Sequence, residues 1–407
     1  MPPPEKLVGV VGKTNVGKST LFSAMTLVPV KIANHPFTTI EPNVGVGYVR
    51  RQCAHVKLGL PRCNPRSGFC VRGDRFIPVK IMDVAGLIPG ASQGRGLGNK
   101  FMDDLRQADV LIHVVDASGS TDLEGNPVRP GTADPVEEAE LIQREIDEWF
   151  VAVVTRVWEG QVARKLPTAQ NPVDLAARAL SGISITKAQL VRAIEGAGLA
   201  SKSPRDWNKD DLRALAIELR RISKPILIAA NKVDVPEAAD NLKRLRDVYG
   251  DLVVPVSALA ELILRHAARQ GLIDYLPGDP SFSVVDEHKL AREQRAALEL
   301  IERRVLKPFG STGVQQLLNR AVFEVLGLIT VYPVEDANKF TDHSGNVLPD
   351  AFLVPKGTTA RELAYMVHTD LGEGFLYAIN AATKERVGEG YVLNDGDVIK
   401  VVSARRR

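Results

Sequence analysis

Gly12-Lys-Thr-Asn-Val-Gly-Lys-Ser19 decides the fold of this chain, because it matches the phosphate-loop pattern G-x-x-x-x-G-K-[ST] in full. The apolar run Leu7–Val11 before it predicts a strand, and Thr20–Met25 after it predicts a helix. In that setting backbone amides wrap phosphate oxygens, Lys18 reaches the β- and γ-phosphates, and Ser19 binds Mg²⁺. The residues expected to contact nucleotide here are Thr14, Asn15, Val16, Gly17, Lys18, Ser19 and Thr20.

A second motif, Asn231-Lys-Val-Asp234, indicates which base is bound. It follows an apolar run ending at Ala230 that predicts a buried strand. A carboxylate at Asp234 can accept two N–H bonds from guanine, whereas adenine would leave that carboxylate desolvated and unpaired. Ser257-Ala258 follows the next apolar run and offers a backbone N–H to the guanine carbonyl. The expected base-binding residues are therefore Asn231, Lys232, Asp234, Ser257 and Ala258.

Two further elements complete a GTPase set in the correct chain order. Asp83-Val-Ala-Gly86 lies at a predicted strand end, where Asp83 would hold the water shell of Mg²⁺ and the Gly86 amide would meet a γ-phosphate. Thr39, chosen over the neighbouring Thr38, would complete the Mg²⁺ shell. The expected metal ligands are Ser19, Thr39 and Asp83, and the expected catalytic residues are Lys18, Thr39 and Gly86.

The chain resembles the Obg-related YchF GTPases over nearly its whole length. The matching stretches are Gly12–Phe22, His35–Thr39 with Glu41–Asn43, Asp83–Leu87, Gly94–Phe101, Ile112–Ala117 and Phe309–Gly313. Many members of that family carry Asn-x-x-Glu at the base-reading position and prefer ATP. This chain carries Asn231-Lys-Val-Asp234, like the archaeal and fungal branch, and the difference favours GTP.

Leu87 occupies the position where Ras-like enzymes place a water-orienting Gln. An apolar side chain cannot orient water by hydrogen bonding, so we expect slow intrinsic hydrolysis. Asn15 has two interpretations, which the sequence does not separate. In related GTPases an Asn at this position helps to bind K⁺ near the phosphates; alternatively, Asn15 only stabilises its loop.

Composition describes an ordinary globular protein, with 407 residues, 44% hydrophobic residues and a net charge of +3. That small charge does not by itself argue for a nucleic-acid partner. No apolar stretch approaches the ~18 residues of a membrane span, and the first residues lead directly into a predicted strand. We therefore expect a monomeric cytoplasmic protein with no membrane contact.

The only cysteines of the chain, Cys53, Cys63 and Cys70, lie in one stretch with His55 nearby. Their spacing is irregular and contains no C-x₂-C pair, which argues against zinc. The spacing favours a polar loop or hairpin that carries free thiols in a reducing compartment, with a turn at Asn64–Gly68. Whether the cluster binds a metal stays open at this point.

The predicted fold is α/β, a doubly wound P-loop GTPase sheet with an all-helical insertion and a C-terminal β-grasp domain. The predicted boundaries are 1–117 plus 222–326 for the GTPase domain, 118–221 for the insertion and 327–407 for the β-grasp domain. Helical spacing marks Val136–Phe150, Thr186–Ala197 and Asp210–Arg221 within the insertion. The family resemblance implies that the insertion is a projecting helical hairpin, which either only packs or contacts a partner.

The C-terminal segment is similar to TGS domains, ubiquitin-like modules associated with RNA and translation. Strands are expected at Ile329–Pro333, Asn346–Pro349 and Val398–Val402, with a helix over Thr359–Thr369. The resemblance implies a GTP-binding, GTP-hydrolysing switch that uses Mg²⁺ and acts on the ribosome, with rRNA or tRNA as contacts. Two alternatives are a YchF-type ATPase and an RNA-binding module with a purely structural nucleotide site.

Overall fold

The computed structural model describes residues 6–27, 43–84, 104–183 and 185–404. Within these residues the larger sheet has strand order β2-β4-β1-β5-β6-β7, with β3 paired to β4. Its strands are β1 (Leu7–Val11), β2 (Val44–Gln52), β3 (Phe69–Val71), β4 (Asp74–Asp83), β5 (Val110–Asp116), β6 (Ile226–Asn231) and β7 (Val253–Pro255). Two helices accompany its first half, namely α1 (Lys18–Thr26) and α2 (Ala54–Lys57).

The centre of this sheet is parallel: β1 lies between β4 and β5, and β6 lies between β5 and β7. Every residue of β5 and β6 is buried, as expected for parallel strands covered on both faces. The chain places β2 and β4 on one side of β1, and it then places β5, β6 and β7 on the other side. That change of direction opens a crevice at the carboxyl ends of the strands, where ligands bind in such sheets.

The helical insertion is confirmed, and it includes one helix that the sequence did not predict, α4. Its helices are α3 (Pro135–Val157), α4 (Pro172–Leu180), α5 (Lys187–Gly196) and α6 (Lys209–Ser223). Each begins after a side chain that caps a backbone N–H: Asp134, Asn171, Thr186 and Asn208. The apolar face of α3 shares one buried core with α6 and with the sheet residues Val11 and Met82. The insertion is therefore seated on the sheet through a continuous core.

Shorter helices complete the first part of the chain. They are α7 (Ala238–Tyr249), α8 (Ala258–Arg269), α9 (Arg292–Ile301), α10 (Lys307–Phe309) and α11 (Val314–Asn319), with a small hairpin of β8 (Ile273–Asp274) and β9 (Ser283–Val284). Wider π-helical turns extend α3, α9 and α11, at Trp158–Val162, Glu302–Leu306 and Arg320–Val325. Short 3₁₀ turns lie at Ala163–Thr168, Ser181–Ile183, Pro204–Asp206, Gly250–Leu252 and Glu287–Lys289. Among the described residues, no helix combines the length and apolar character needed to cross a membrane.

The C-terminal sheet has strand order β11-β10-β14-β12-β13, with β10 and β14 parallel at its centre. Its strands are β10 (Leu328–Pro333), β11 (Phe352–Pro355), β12 (Phe375–Asn380), β13 (Arg386–Val387) and β14 (Val398–Ser403). Two helices, α12 (Ala360–Val367) and α13 (Thr369–Glu373), precede β12. This mixed sheet with helices is the expected β-grasp arrangement.

One predicted strand of this domain is wrong. Residues 346–349 were expected to form the second strand, which is instead β11. The carbonyls of Val347 and Pro349 accept hydrogen bonds from the amides of Asn64 and Arg66, both at 2.8 Å. The segment has a strand-like composition, but its backbone pairs with a loop of the larger domain rather than with its own sheet.

Candidate functional site

A cleft of about 670 Å³ opens at the carboxyl ends of β1 and β6. That volume lies within the range typical of small-molecule sites. Its walls come from two segments far apart in sequence, the loop after β1 and the loop after β6. The lining residues are Lys13, Thr14, Asn15, Gly17, Lys18, Ser19, Thr20, Asn231, Lys232, Asp234, Val235 and Leu259.

The loop between β1 and α1 depends on glycine at two positions. Gly12 has φ of 154°, and a Cβ there would lie 2.7 Å from the carbonyl oxygen of Val114. Gly17 has φ of 91°, and a Cβ there would clash with the Asn231 amide. α1 begins directly at Lys18, so its free amides and positive dipole end face the cleft. This geometry suits a phosphate group.

Lys18 and Asp83 meet at the end of the cleft beside β4. The Lys18 ammonium donates to a carboxylate oxygen of Asp83 at 2.8 Å, and both side chains are partly buried. Ser19 is exposed next to this pair. A hydroxyl and a carboxylate are hard oxygen donors of the kind Mg²⁺ prefers, so these residues fit the ion. The other two residues expected here, Thr39 and Gly86, lie outside the described residues, as do Thr38, His35 and Leu87.

The opposite end of the cleft is organised by Asn231. Its amide donates to the Val16 carbonyl at 2.8 Å, and its side-chain oxygen accepts from the Ala258 amide at 3.0 Å. The Ser257 hydroxyl donates to Asp234 at 2.7 Å and so holds one carboxylate oxygen in place. The structure thus brings the predicted residues after β1, β6 and β7 into direct contact. Leu259, 55% exposed, adds an apolar surface to the wall.

Lys232 bridges the two halves of the cleft. Its ammonium donates to the Asn15 carbonyl at 3.0 Å, to Asp116 at 2.8 Å and to Ser120 at 3.1 Å. Burial raises the pKa of Asp116, but Lys232 and nearby hydroxyls outweigh burial and hold that pKa below its ordinary value. Asn15 and Lys232 both adopt left-handed backbone, with φ of 61° and 66°. Strained backbone of this kind concentrates at functional sites.

The loop between β5 and α3 folds back over the phosphate loop, which the sequence did not indicate. The Asn15 amide donates to the Gly125 carbonyl at 2.9 Å. This contact supports the interpretation of Asn15 as a loop-stabilising residue, and its K⁺ role stays a prediction. Lys13 is buried, and it donates to the carbonyls of Thr121 and Asp122 and pairs with Glu138 at 3.0 Å.

Glu138 belongs to α3, so the Lys13–Glu138 pair joins the phosphate loop to the helical insertion. Burial raises the pKa of Glu138 to about 7, against the opposing effect of Lys13. His113 of β5 is completely buried, and burial together with Lys13 lowers its pKa to about 3. The sequence carried a weak signal for this region. Asp116 is a charged residue at the end of an otherwise apolar strand, and such a residue is expected to face a partner. His113 does not follow that expectation, since neither of its ring nitrogens has a hydrogen-bond partner among the described residues.

The segment that carries the cysteines contains free thiols and the β3–β4 hairpin, but it is not the polar loop or hairpin that was expected. Cys53 is completely buried and His55 is nearly so. The metal-binding atoms of Cys53, His55, Cys63 and Cys70 all lie within 4.8 Å of one another. These four residues are called the thiol cluster below. None of them is among the residues that line the cleft.

Three family models match the chain. A model described as a 50S ribosome-binding GTPase matches residues 7–154. A model described as the G4 motif-containing domain of an Obg-like GTPase, YGR210-like, matches residues 229–336. A TGS-domain model matches residues 344–403. Together they span both walls of the cleft and the C-terminal sheet.

Known proteins resemble the chain along its full length. An uncharacterized GTP-binding protein of Methanocaldococcus jannaschii is 50% identical, covering 98% of this chain and all of the relative. A ribosome-binding ATPase YchF of Haemophilus ducreyi is 28% identical, covering 96% and 97% of the two chains. The crystal structure of a GTP-binding protein from Pyrococcus horikoshii OT3 matches with a TM-score of 0.77 and 43% identity, covering 98% and 99%.

Proposed function

This chain belongs to the YchF/Obg-like family of P-loop GTPases with a C-terminal TGS domain, and we propose that it is a GTP-hydrolysing switch whose nucleotide state controls ribosome binding. The observation that carries the nucleotide assignment is the contact between Ser257 and Asp234 on the cleft wall. A carboxylate held in place is ready to accept both N–H groups of guanine. An adenine in place of guanine would offer Asp234 no N–H donors, and a desolvated charge with unmet hydrogen bonds is costly.

The phosphate end supports hydrolysis. Lys18 and the amides at the start of α1 would stabilise the charge that develops as the bond to the γ-phosphate loosens. Ser19 and Asp83 would hold Mg²⁺, which neutralises phosphate charge when it is bound. Lys18 and Asp83 are paired to each other at 2.8 Å. Nucleotide binding would therefore replace the Lys18–Asp83 pair with a contact between Lys18 and phosphate, and would leave Asp83 available to help hold Mg²⁺.

A ribosomal partner is supported by two kinds of likeness. Relatives at 27–28% identity are named ribosome-binding ATPases, and the C-terminal segment matches TGS domains. Such a partner would imply a cytoplasmic protein, and exposed Lys and Arg side chains of the described surface could meet RNA phosphates. We propose that it acts as a monomer whose TGS domain contacts rRNA or tRNA.

Co-sedimentation with purified ribosomes tests this function. We expect more protein in the pellet with a non-hydrolysable GTP analogue than with GDP, and less as salt rises, since RNA phosphates are met by Lys and Arg. Removal of 327–407 should reduce pelleting, with guanine-nucleotide affinity as the control for folding. No pelleting in any nucleotide state would refute the ribosomal assignment, and equal pelleting of the shortened chain would refute the role of the TGS domain.

ATP is the second candidate substrate, because the more distant relatives are named ATPases. Competition between labelled GDP and unlabelled ATP or GTP separates the two. Displacement by GTP alone supports the assignment to guanine. Equal displacement by both would refute the assignment to guanine, and stronger displacement by ATP would support the ATPase.

A further inference from the structure

Four potential ligands meet between the larger sheet and the C-terminal domain. Cys53 follows β2, His55 lies in α2, Cys63 lies in the next loop, and Cys70 lies in β3. The Cys53 and Cys63 sulfurs are 3.7 Å apart, and the Cys70 sulfur is 3.8 Å from His55 Nδ1. Tetrahedral zinc with Zn–S of about 2.3 Å and Zn–N of about 2.0 Å requires ligand atoms roughly 3.5–3.8 Å apart. Two of the pairs are already at or near these separations.

We propose that Cys53, His55, Cys63 and Cys70 form a structural zinc site of the Cys₃His type. With four protein ligands the coordination is complete, as in structural zinc sites, and no position is left for substrate. The argument for this site does not rest on the proposed function of the nucleotide cleft.

The charge of the surroundings fits this ion. Zn²⁺ with three thiolates and a neutral imidazole carries a net charge of 2 − 3 = −1. Arg75 is completely buried beside the cluster, with Nη1 3.8 Å from the Cys63 sulfur. Among the described residues Arg75 pairs with no carboxylate, and its guanidinium donates to the carbonyls of Leu348 and Pro349. Burying a cation without a negatively charged partner is costly. An anionic zinc–thiolate centre would compensate the positive charge of Arg75.

The position of the cluster indicates what the zinc would stabilise. Cys53 and Ala54 share a buried core with residues of the C-terminal domain, including Tyr332, Leu348 and Val398. The loop that carries Cys63 also donates the Asn64 and Arg66 amides to that domain. Zinc would fix this loop at both ends, and the loop is the surface on which the TGS domain docks.

Metal analysis of the full chain, purified without a histidine tag or chelator, tests the proposal. We expect one zinc per chain, lost in Cys63→Ser and Cys70→Ser. His55→Asn should also lose it, whereas His288→Asn, at an exposed histidine outside the cluster, should retain it. Because all three cysteines of the chain lie in the cluster, thiolate-bound metal can come from no other place in the chain.

Variants that fail to fold would not end the test, because the wild type can be stripped of metal and titrated with Co²⁺. Tetrahedral Co²⁺ with thiolate ligands gives intense visible bands and a sulfur-to-cobalt charge-transfer band, and added Zn²⁺ should abolish both. Three free thiols should be counted in the denatured, unreduced protein. A disulfide, iron in place of zinc, or protein that remains metal-free after equilibration with Zn²⁺ and gel filtration would overturn the proposal.

Discussion

The nucleotide cleft and the thiol cluster are both polar sites built around the larger sheet, but they are constructed in opposite ways. The cleft is open, with a volume of about 670 Å³, and its ligand-binding groups are paired with one another, as in Lys18–Asp83 and Ser257–Asp234. The thiol cluster is closed, with Cys53 completely buried and the C-terminal domain packed against it. Open sites exchange their ligands, whereas closed four-ligand sites hold a structural ion.

This difference also separates what each site controls. Contacts around the cleft connect the phosphate loop to the helical insertion through Lys13 and Glu138. Contacts around the cluster connect the end of β2 and the start of β4 to the C-terminal domain through Cys53 and Arg75. We therefore expect substitutions in the cleft to change nucleotide affinity without changing zinc content, and substitutions in the cluster to do the reverse.

The largest effect is expected for Lys18→Ala. Charge-assisted hydrogen bonds contribute about 1.5–3 kcal/mol each. Loss of the ammonium should therefore weaken the binding of GDP and GTP by at least ~100-fold. Calorimetric titration measures this, and Lys243→Ala, at an exposed lysine of α7, is the matched control. Zinc content should stay the same; loss of zinc in this variant would show that the two sites are coupled.

Asp234→Asn tests the other end of the cleft. The wild type should prefer GDP to ADP by on the order of 10⁴-fold, since a site built for hydrogen bonds rejects an analogue that lacks them. The variant should lose about 10–100-fold in GDP affinity and gain affinity for the xanthine nucleotide, whose C2 carbonyl needs a donor. Asp240→Asn, at an exposed carboxylate of α7, should behave like the wild type. Equal wild-type affinity for ADP and GDP would refute the assignment to guanine.

Glu138→Gln tests the wall between the cleft and the insertion. The folded-state pKa of Glu138 is raised from 4.5 to about 7, so the carboxyl stabilises the fold fully below pH 4.5 and loses that contribution as pH rises towards 7. The positive charge of Lys13 opposes this rise in pKa, and the negative charge of Asp116 reinforces it. Denaturant unfolding should be measured at pH 5 and pH 8. Between these two pH values the free energy of unfolding of the wild type should fall by on the order of 1–2 kcal/mol more than that of the variant. The exposed Glu137→Gln should leave the pH dependence unchanged.

The smallest effect is expected for the monovalent ion. If Asn15 helps to bind K⁺, phosphate release should be slow and a few-fold faster in KCl than in NaCl, and Asn15→Ala should remove the difference. If Asn15 only holds the Gly125 carbonyl, the variant should be equally impaired in both salts. Equal wild-type rates in KCl and NaCl would end the K⁺ interpretation, and rapid turnover would contradict the inference from Leu87.

The residues of the nucleotide cleft could be predicted because contiguous motifs encode them. Gly12, Gly17 and Lys18 lie within one strand–loop–helix unit, whose local backbone already aims amides at a phosphate. The layout of parallel strands then predicts that Asn231 and Asp234 meet this loop at one edge of the sheet. Lys13, Glu138 and Asp116 could not be assigned in this way, since their pairing depends on a loop that folds back from β5.

The sequence by itself determined the GTPase architecture, the helical insertion, the C-terminal domain and the place of Asp234 at the cleft, because each is encoded by a local pattern of period, spacing or motif. Only the tertiary structure decided that Cys53, His55, Cys63 and Cys70 share one centre. Their spacing has no regular pattern, since one ligand comes from a helix, one from a strand and two from the segments beside them. The antiparallel pairing of β3 with β4 and the docking of the C-terminal sheet bring those segments together.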